Sequence, residues 1–310
     1  MPAPRVACIG ECMIEVSDLG GGAARLGYGG DTLNAALYLA RLGVAVDYHS
    51  ALGDDPYSAR MLGAWQAEGI GTAHVACVRG ALPGLYLVET DARGERSFRF
   101  WREQSAARRL ADLPGWPQRA QQLAGYDWLY FSAITLSILG EAGRERLWAA
   151  VDGARARGAR VVFDSNYRPR GWPDAATARA AVQHTLPRVD LALPTFEDEC
   201  ALFGDEDPLR TLERLAAAGV PRAIVKCGPE PCFVRDQGRV ERVPALAVDR
   251  VVDTTAAGDS FNAGLLAALL DGATLAESAR AGHRLAATVI QHRGAIIPRE
   301  AMPRDAIGAT

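Results

Sequence analysis

Short apolar runs that end in glycine or another small residue alternate with stretches of helical periodicity over most of the chain. This rhythm restricts the fold more than any other feature. "RVACIGE" is such a run, and "TLNAALYLARLG" follows with helical spacing and a glycine stop. "VDYHSALG" reads as the next strand. "DPYSARMLGAWQAEG" reads as a helix with Asp55 as N-cap and Pro56 at its first position. "WLYFSA", "ARVVFDSN", "LALPT" and "RAIVKCG" are further strands, each with a helical segment beside it. Such alternation predicts an α/β fold with a mostly parallel central sheet and helices on both faces. The C-terminal third reads as helical, through "SFNAGLLAALLDG" and "LAESARAGHRLAATVIQHRG".

Two stretches break the rhythm. Residues 12–30 are glycine-rich and strand-like, and so are residues 84–103, where "DARG" separates two alternating runs as a hairpin turn would. They predict a small β-sheet lid over the carboxyl ends of the parallel strands, where open α/β sheets bind ligands. The expected partition is one domain over residues 1–310 with an inserted lid, since 310 residues is near the upper size for one core. The lid is also the expected surface for any homo-oligomer.

Charge and cysteine usage remove several function classes. With 34 basic and 37 acidic residues the net charge is -3, and no basic stripe is present, so nucleic acid is not an expected partner. No run approaches the roughly 20 apolar residues of a membrane helix, so no membrane partner is expected. "VACIG" is too short for a secretory leader, which points to the cytoplasm. The six cysteines form no CxxC pair and have no histidine at zinc-ligand spacing; they read as ordinary thiols.

"VVDTTAAGDSFNAG" carries the chemistry. It reads as strand, loop and helix start, and a helix start exposes unpaired N–H groups at the positive end of the dipole. Ala256, Ala257 and Gly258 have no bulk to keep an anion from the backbone. Asp259 stands where the anion would bind, which makes sense if it accepts the proton of a hydroxyl attacking a phosphoryl group. The plainer alternative makes Asp259 only a helix cap. No GxxxxGK[ST] motif is present. "GDSF" lacks the downstream Asp-x-x-His that a GDS-type hydrolase would place near its C-terminus, and Ser260 lies late in the chain.

"DTTAAGDSFNAG" resembles the second signature of the ribokinase-like (PfkB) carbohydrate kinases, and "GGDTLNAALYLARLG" resembles their first. "IGECMIE", "LPGLY", "TDARGERSFRFWRE", "FDSNYRPR" and "IQHRGAIIPREAMP" extend the resemblance over nearly the whole chain and are most similar to the bacterial 2-dehydro-3-deoxygluconate kinases. The resemblance implies a three-layer ribokinase-like fold, ATP and Mg2+ as cofactors, and phosphorylation of a sugar acid's terminal hydroxyl. A neutral-sugar kinase (fructokinase or ribokinase) and a non-catalytic sugar sensor on the same fold are the alternatives.

Gly29, Gly30, Asp31 and Asn34 match the sugar-binding turn and helix start. Tyr86, Phe100 and Arg102 lie on the lid hairpin, where alternation puts Phe100 and Arg102 on one face and Trp101 on the other. Asn166 and Arg168 end a strand at "DSNYR" and are expected at ligand, both on the nucleotide side and Arg168 also at the sugar acid; an Arg168–Asp164 pair is the structural alternative. Two arginine forks on one carboxylate would select an acid. Lys226, Gly228 and the Ala256–Gly258 loop match the nucleotide side. Ala256 replaces the family's usual glycine and is expected to keep a negative φ. Thr195 and Asp198 replace the Asn and Glu of the family's N-x-x-E, which leaves the direct magnesium ligands open.

Overall fold

The computed structural model describes residues 3–90 and 96–303. In chain order, β1 (Arg5–Ile9), β2 (Met13–Gly20) and β3 (Ala23–Gly29) precede α1 (Asp31–Arg41). β4 (Ala45–Gly53), α2 (Pro56–Ala67) and β5 (Val75–Val78) lead to β6 (Leu85–Thr90) and β7 (Arg96–Trp101). Next come α3 (Trp116–Gln122), β8 (Trp128–Ser132), α4 (Ala133–Arg155), β9 (Arg160–Asp164), α5 (Ala175–Thr185) and β10 (Leu191–Ala192). The chain continues through α6 (Phe196–Phe203), α7 (Pro208–Ala217), β11 (Arg222–Cys227), β12 (Glu230–Asp236) and β13 (Arg239–Val243). It closes with α8 (Ala257–Leu270) and α9 (Leu275–Val289).

The main sheet has the order β13-β12-β11-β10-β9-β8-β1-β4-β5. It is parallel from β11 to β5, and β12 and β13 extend it antiparallel at one edge. Side-chain alternation along the central strands feeds two cores. Val6 and Cys8 of β1 face one core, with Leu33 and Leu37 of α1, Trp65 of α2, Leu265 of α8 and Leu285 of α9. Ala7 and Ile9 face the other, with Trp116 of α3, Leu136 and Leu147 of α4, Val182 of α5 and Leu212 of α7. The result is a three-layer α/β arrangement. Asp55 caps α2 as expected, accepting from the Tyr57 and Ser58 N–H groups with Pro56 at the first position.

One expectation needs correcting: the C-terminal third is not wholly helical, because β12 and β13 lie within it. Their hairpin turns at Gln237 (φ 48°) and Gly238 (φ 81°), the paired positive φ values whose twist matches that of the flanking strands. β12 buries Cys232 and Val234 at alternate positions. Its charged neighbours hid that pattern.

A second sheet has the order β3-β2-β6-β7. Tyr86 pairs with Phe100 across β6 and β7, and Met13, Tyr86 and Val88 with Phe98 form its own small cluster. The "DARG" turn lies outside the described residues. Strand order diverges between β1 and β8, with β4 and β5 to one side and β9 to β11 to the other. The crevice at the carboxyl ends of these strands is where a ligand is expected in such a sheet.

Candidate active site

The loop before α8 is tied down from behind. The Val252 and Asp253 N–H groups donate to the Ile290 carbonyl, at 2.8 and 3.1 Å. The Asp253 carboxylate accepts from the Thr255 N–H (3.1 Å) and Thr255 Oγ1 (2.7 Å), and from the Gly294 N–H. Sequence reasoning gave Asp253 no role, yet it joins the "DTTAAG" loop to the "QHRGA" turn. Ala256 does not keep a negative φ: it is left-handed, at φ 60°. That geometry is unfavourable by roughly 1–2 kcal/mol for a residue with a Cβ, which is why glycine suits this position. The Ala257 N–H is already used by the Thr254 carbonyl at 3.1 Å. The start of α8 carries no side-chain cap. Gly258 and Asp259 therefore supply the open N–H groups of its first turn.

Asp259 is not a cap. Its carboxylate accepts from Asn34 Nδ2 of α1 at 2.8 Å. Withdrawal from water, and then the nearby charge of Asp31, raise its pKa to about 7, against the lowering effect of the Asn34 hydrogen bond. Asp31 stands at the first position of α1, with Gly30 as the N-cap residue. Its carboxylate does not cap the helix but accepts from Ser132 Oγ and from Asn166 Nδ2, the latter at 2.9 Å. Burial raises the Asp31 pKa as well. The Gly-Gly turn permits close approach rather than unusual dihedrals. A Cβ on Gly30 would lie 2.1 Å from the Glu11 carbonyl, and one on Gly29 would lie 2.4 Å from the Tyr86 hydroxyl.

Lys226 is buried, not solvated. Its ammonium donates to Asp164 Oδ2 at 2.8 Å and Asn262 Oδ1 at 3.1 Å. A Cβ at Gly258 would lie 3.5 Å from Lys226 Nζ, so the lysine reaches the mouth of α8. Gly228, at φ 59°, makes the turn after β11 beside Glu197. Thr195 precedes α6 without capping it through its side chain. Among the described residues no three His, Cys, Asp or Glu side chains gather as a metal cage.

The two arginines are engaged elsewhere. Arg102 forms a salt bridge with Glu11, whose side chain is almost wholly buried. Arg168 pairs with Asp198 at 2.9 Å and stays 58% exposed; it does not meet Asp164. Phe100 and Arg102 do share a face, with the guanidinium 5.9 Å from the ring centroid. Tyr86 donates to Glu15 and lies 5.9 Å from Phe100, centroid to centroid. Hydrogen bonds thus join Asn34 to Asp259 and Asn166 to Asp31, while Lys226 stands beside Gly258. Arg168, in the segment after β9, is held by Asp198 of α6. Sequence reasoning missed Glu11, Glu15, Tyr130, Ser132, Asp164 and Asn262 as site residues. Glu11 and Glu15 carried a signal by lying inside "IGECMIE", Asp164 inside "FDSNYRPR" and Asn262 inside "GDSFNAG"; Tyr130 and Ser132 carried only that of a strand.

A mostly parallel sheet, a buried carboxyl of raised pKa and a helix start without a side-chain cap are the features of an α/β fold with a ligand site for anionic groups. The family model for "pfkB family carbohydrate kinase" matches residues 3–302, and the chain belongs to that family. It is 45% identical to a 2-dehydro-3-deoxygluconokinase of Dickeya dadantii (strain 3937), over 98% of this chain and 100% of that one. It is 44% identical to the 2-dehydro-3-deoxygluconokinase of Escherichia coli (strain K12), over 96% and 99% of the two chains. The crystal structure of 2-dehydro-3-deoxygluconokinase from Thermotoga maritima superposes with a TM-score of 0.84 over 95% of each chain at 21% identity, a likeness of fold. No helix among the described residues is long and apolar enough to cross a membrane.

Proposed function

We propose that this chain is a cytoplasmic kinase that transfers the γ-phosphoryl group of ATP to the terminal hydroxyl of 2-dehydro-3-deoxy-D-gluconate. The products are 2-dehydro-3-deoxy-6-phosphogluconate and ADP. The observation that carries the reading is Asp259, held by Asn34 at 2.8 Å beside the uncapped start of α8, with a proton affinity near neutral. The full-length relatives at 45% and 44% identity support the choice of sugar acid.

In this reading the substrate hydroxyl lies against Asp259, with Asp31, Asn34 and Asn166 as polar partners for the neighbouring hydroxyls. Its oxygen forms a bond to the γ-phosphorus as the bond to the bridging oxygen of ADP breaks, and Asp259 takes the hydroxyl proton. The Gly258 and Asp259 N–H groups and the Lys226 ammonium face the charge on the transferring group. Ala257 shapes this turn without donating to it. Gly228 and the open strand ends beside it lie on the nucleotide side. Magnesium offsets phosphate charge in such reactions. The described side chains offer no cage for it, so the ion is expected to arrive on the nucleotide, and no step is assigned to it. Tyr86, Phe100 and Arg102 of the lid cover the sugar. The exposed Leu26 and Trp101 share the opposite face of the lid sheet, which supports self-association there.

A second reading, a neutral-ketose kinase, draws on one observation: Arg102 and Arg168 already have carboxylate partners in Glu11 and Asp198. ADP release measured across sugar acids, fructose and ribose decides between them. A specificity constant highest for 2-dehydro-3-deoxygluconate is expected. Fructose as the better substrate would overturn the sugar-acid reading. Sugar binding with no ADP released would make the chain a sensor.

A further inference from the structure

Beneath the start of α8, Lys226, Asp164 and Asn262 close a ring of hydrogen bonds. Lys226 Nζ donates to Asp164 Oδ2 (2.8 Å) and to Asn262 Oδ1 (3.1 Å), and Asn262 Nδ2 donates to the same Asp164 oxygen at 2.6 Å. Asn262 Nδ2 also reaches the Tyr130 hydroxyl at 2.9 Å, and Asp164 Oδ1 accepts from the Asn166 N–H at 3.1 Å. The side chains come from β8, β9, β11 and α8, and all four are buried.

An ammonium on a flexible four-carbon stem points where its partners hold it. Two of the three Lys226 N–H groups are committed within the ring. The third remains on a nitrogen that a Cβ at Gly258 would approach to 3.5 Å. A buried ion pair is weak evidence for stability, because desolvation offsets most of its Coulombic gain. Its position at the mouth of the helix that carries Asp259 calls for another account.

We propose that Asp164, braced by Asn262, is a positioning residue that aims the Lys226 ammonium at the phosphoryl group in transfer. The inference rests on the kinase reading and deepens it. Asp164 touches neither sugar nor nucleotide in this account; it acts through Lys226. Its loss therefore lowers kcat for any accepted sugar and leaves the sugar KM nearly alone.

The test is a double-mutant cycle on ADP release, with the wild type, Asp164→Asn, Lys226→Met and the double variant. The assay uses 2-dehydro-3-deoxygluconate, or whichever sugar the wild type turns over best. Each single change is expected to lower kcat at least about tenfold with the sugar KM within about threefold, as for loss of a charge-stabilising donor. The double variant is expected to match Lys226→Met, since residues acting in series do not add. Additive losses would overturn the inference, and so would an unchanged kcat in Asp164→Asn accompanied only by a lower melting temperature. If Asp164→Asn alone does not fold, the Lys226→Met background removes the unpaired charge. Equal kcat with and without Asp164→Asn there upholds the inference, and a further loss overturns it. A wild type that phosphorylates no sugar defeats the kinase reading and this inference together; an active wild type with additive losses defeats this inference alone.

Discussion

The floor and the rim of the cleft hold their charges in different ways. On the floor, Asp259 is met by a neutral amide, Asn34, and its proton affinity is pushed up toward neutrality. At the rim, Arg102 and Arg168 each face a carboxylate of the chain itself, Glu11 and Asp198. The floor is thus poised to change protonation, whereas the rim is balanced before any ligand arrives. On the proposed kinase reading, reaction chemistry lies in the first region and substrate choice in how the second shares its counter-ions.

The largest expected effect breaks the floor. Asp259→Asn keeps the shape and cannot accept the proton, so kcat should fall on the order of a hundredfold or more on every sugar while ATP affinity changes little. Turnover near the wild-type rate in steady-state assays would remove Asp259 from the chemistry. Because Asp259 caps nothing here, the melting temperature should stay close to that of the wild type.

The rim is tested next, by Arg102→Met and Arg168→Met on the sugar acid and on fructose. Arg102→Met should lower the specificity constant for the acid roughly 30-fold or more and leave fructose nearly unchanged. It should also lower the melting temperature, because buried Glu11 loses its partner. Arg168 is 58% exposed, and its change should cost the acid less, on the order of tenfold. Equal losses on both sugars would mean that the rim holds the lid rather than the carboxylate.

A pH profile sharpens the contrast. Asp259 must be ionised to act as base, and its pKa is about 7, so kcat/KM should rise with pH through neutrality and level off above it. Asp31 contributes to that raised value through its charge. Asp31→Asn should therefore move the acidic limb to lower pH, even if the plateau falls. A limb that stays in place would sink the assignment of the titrating group to Asp259.

The smallest expected effect concerns the loop that joins floor to helix. Ala256→Gly should relieve the left-handed alanine and stabilise the fold by about 1 kcal/mol, less the entropy that glycine adds to the unfolded chain. Thermal melting reads this directly, and a lower melting temperature would contradict the strain.

Much of the floor was legible because its residues lie within short local signals. "GGDT" and "TTAAGD" announce helix starts and small-residue turns, and those determine backbone geometry within a few positions. The alternating apolar runs likewise specified a parallel sheet with two covered faces. The β12–β13 edge was less legible, since a strand buried on one face among charged residues has a weak pattern. The conformation of Ala256 was misjudged because a side-chain type reports preference, while the loop around Asp253 and Gly294 dictates what is adopted.

The sequence by itself determined the fold class and the strand-like stretches that form the second, smaller sheet, because periodicity and turn chemistry act over short range. Only the tertiary structure decided which charges meet. Glu11 and Arg102 are 91 positions apart, Lys226 and Asp164 are 62, and Asn34 and Asp259 are 225. Such pairs are selected by where the strands end and the helices begin in space. Electrostatic energy depends on distance and burial, neither of which a linear sequence contains.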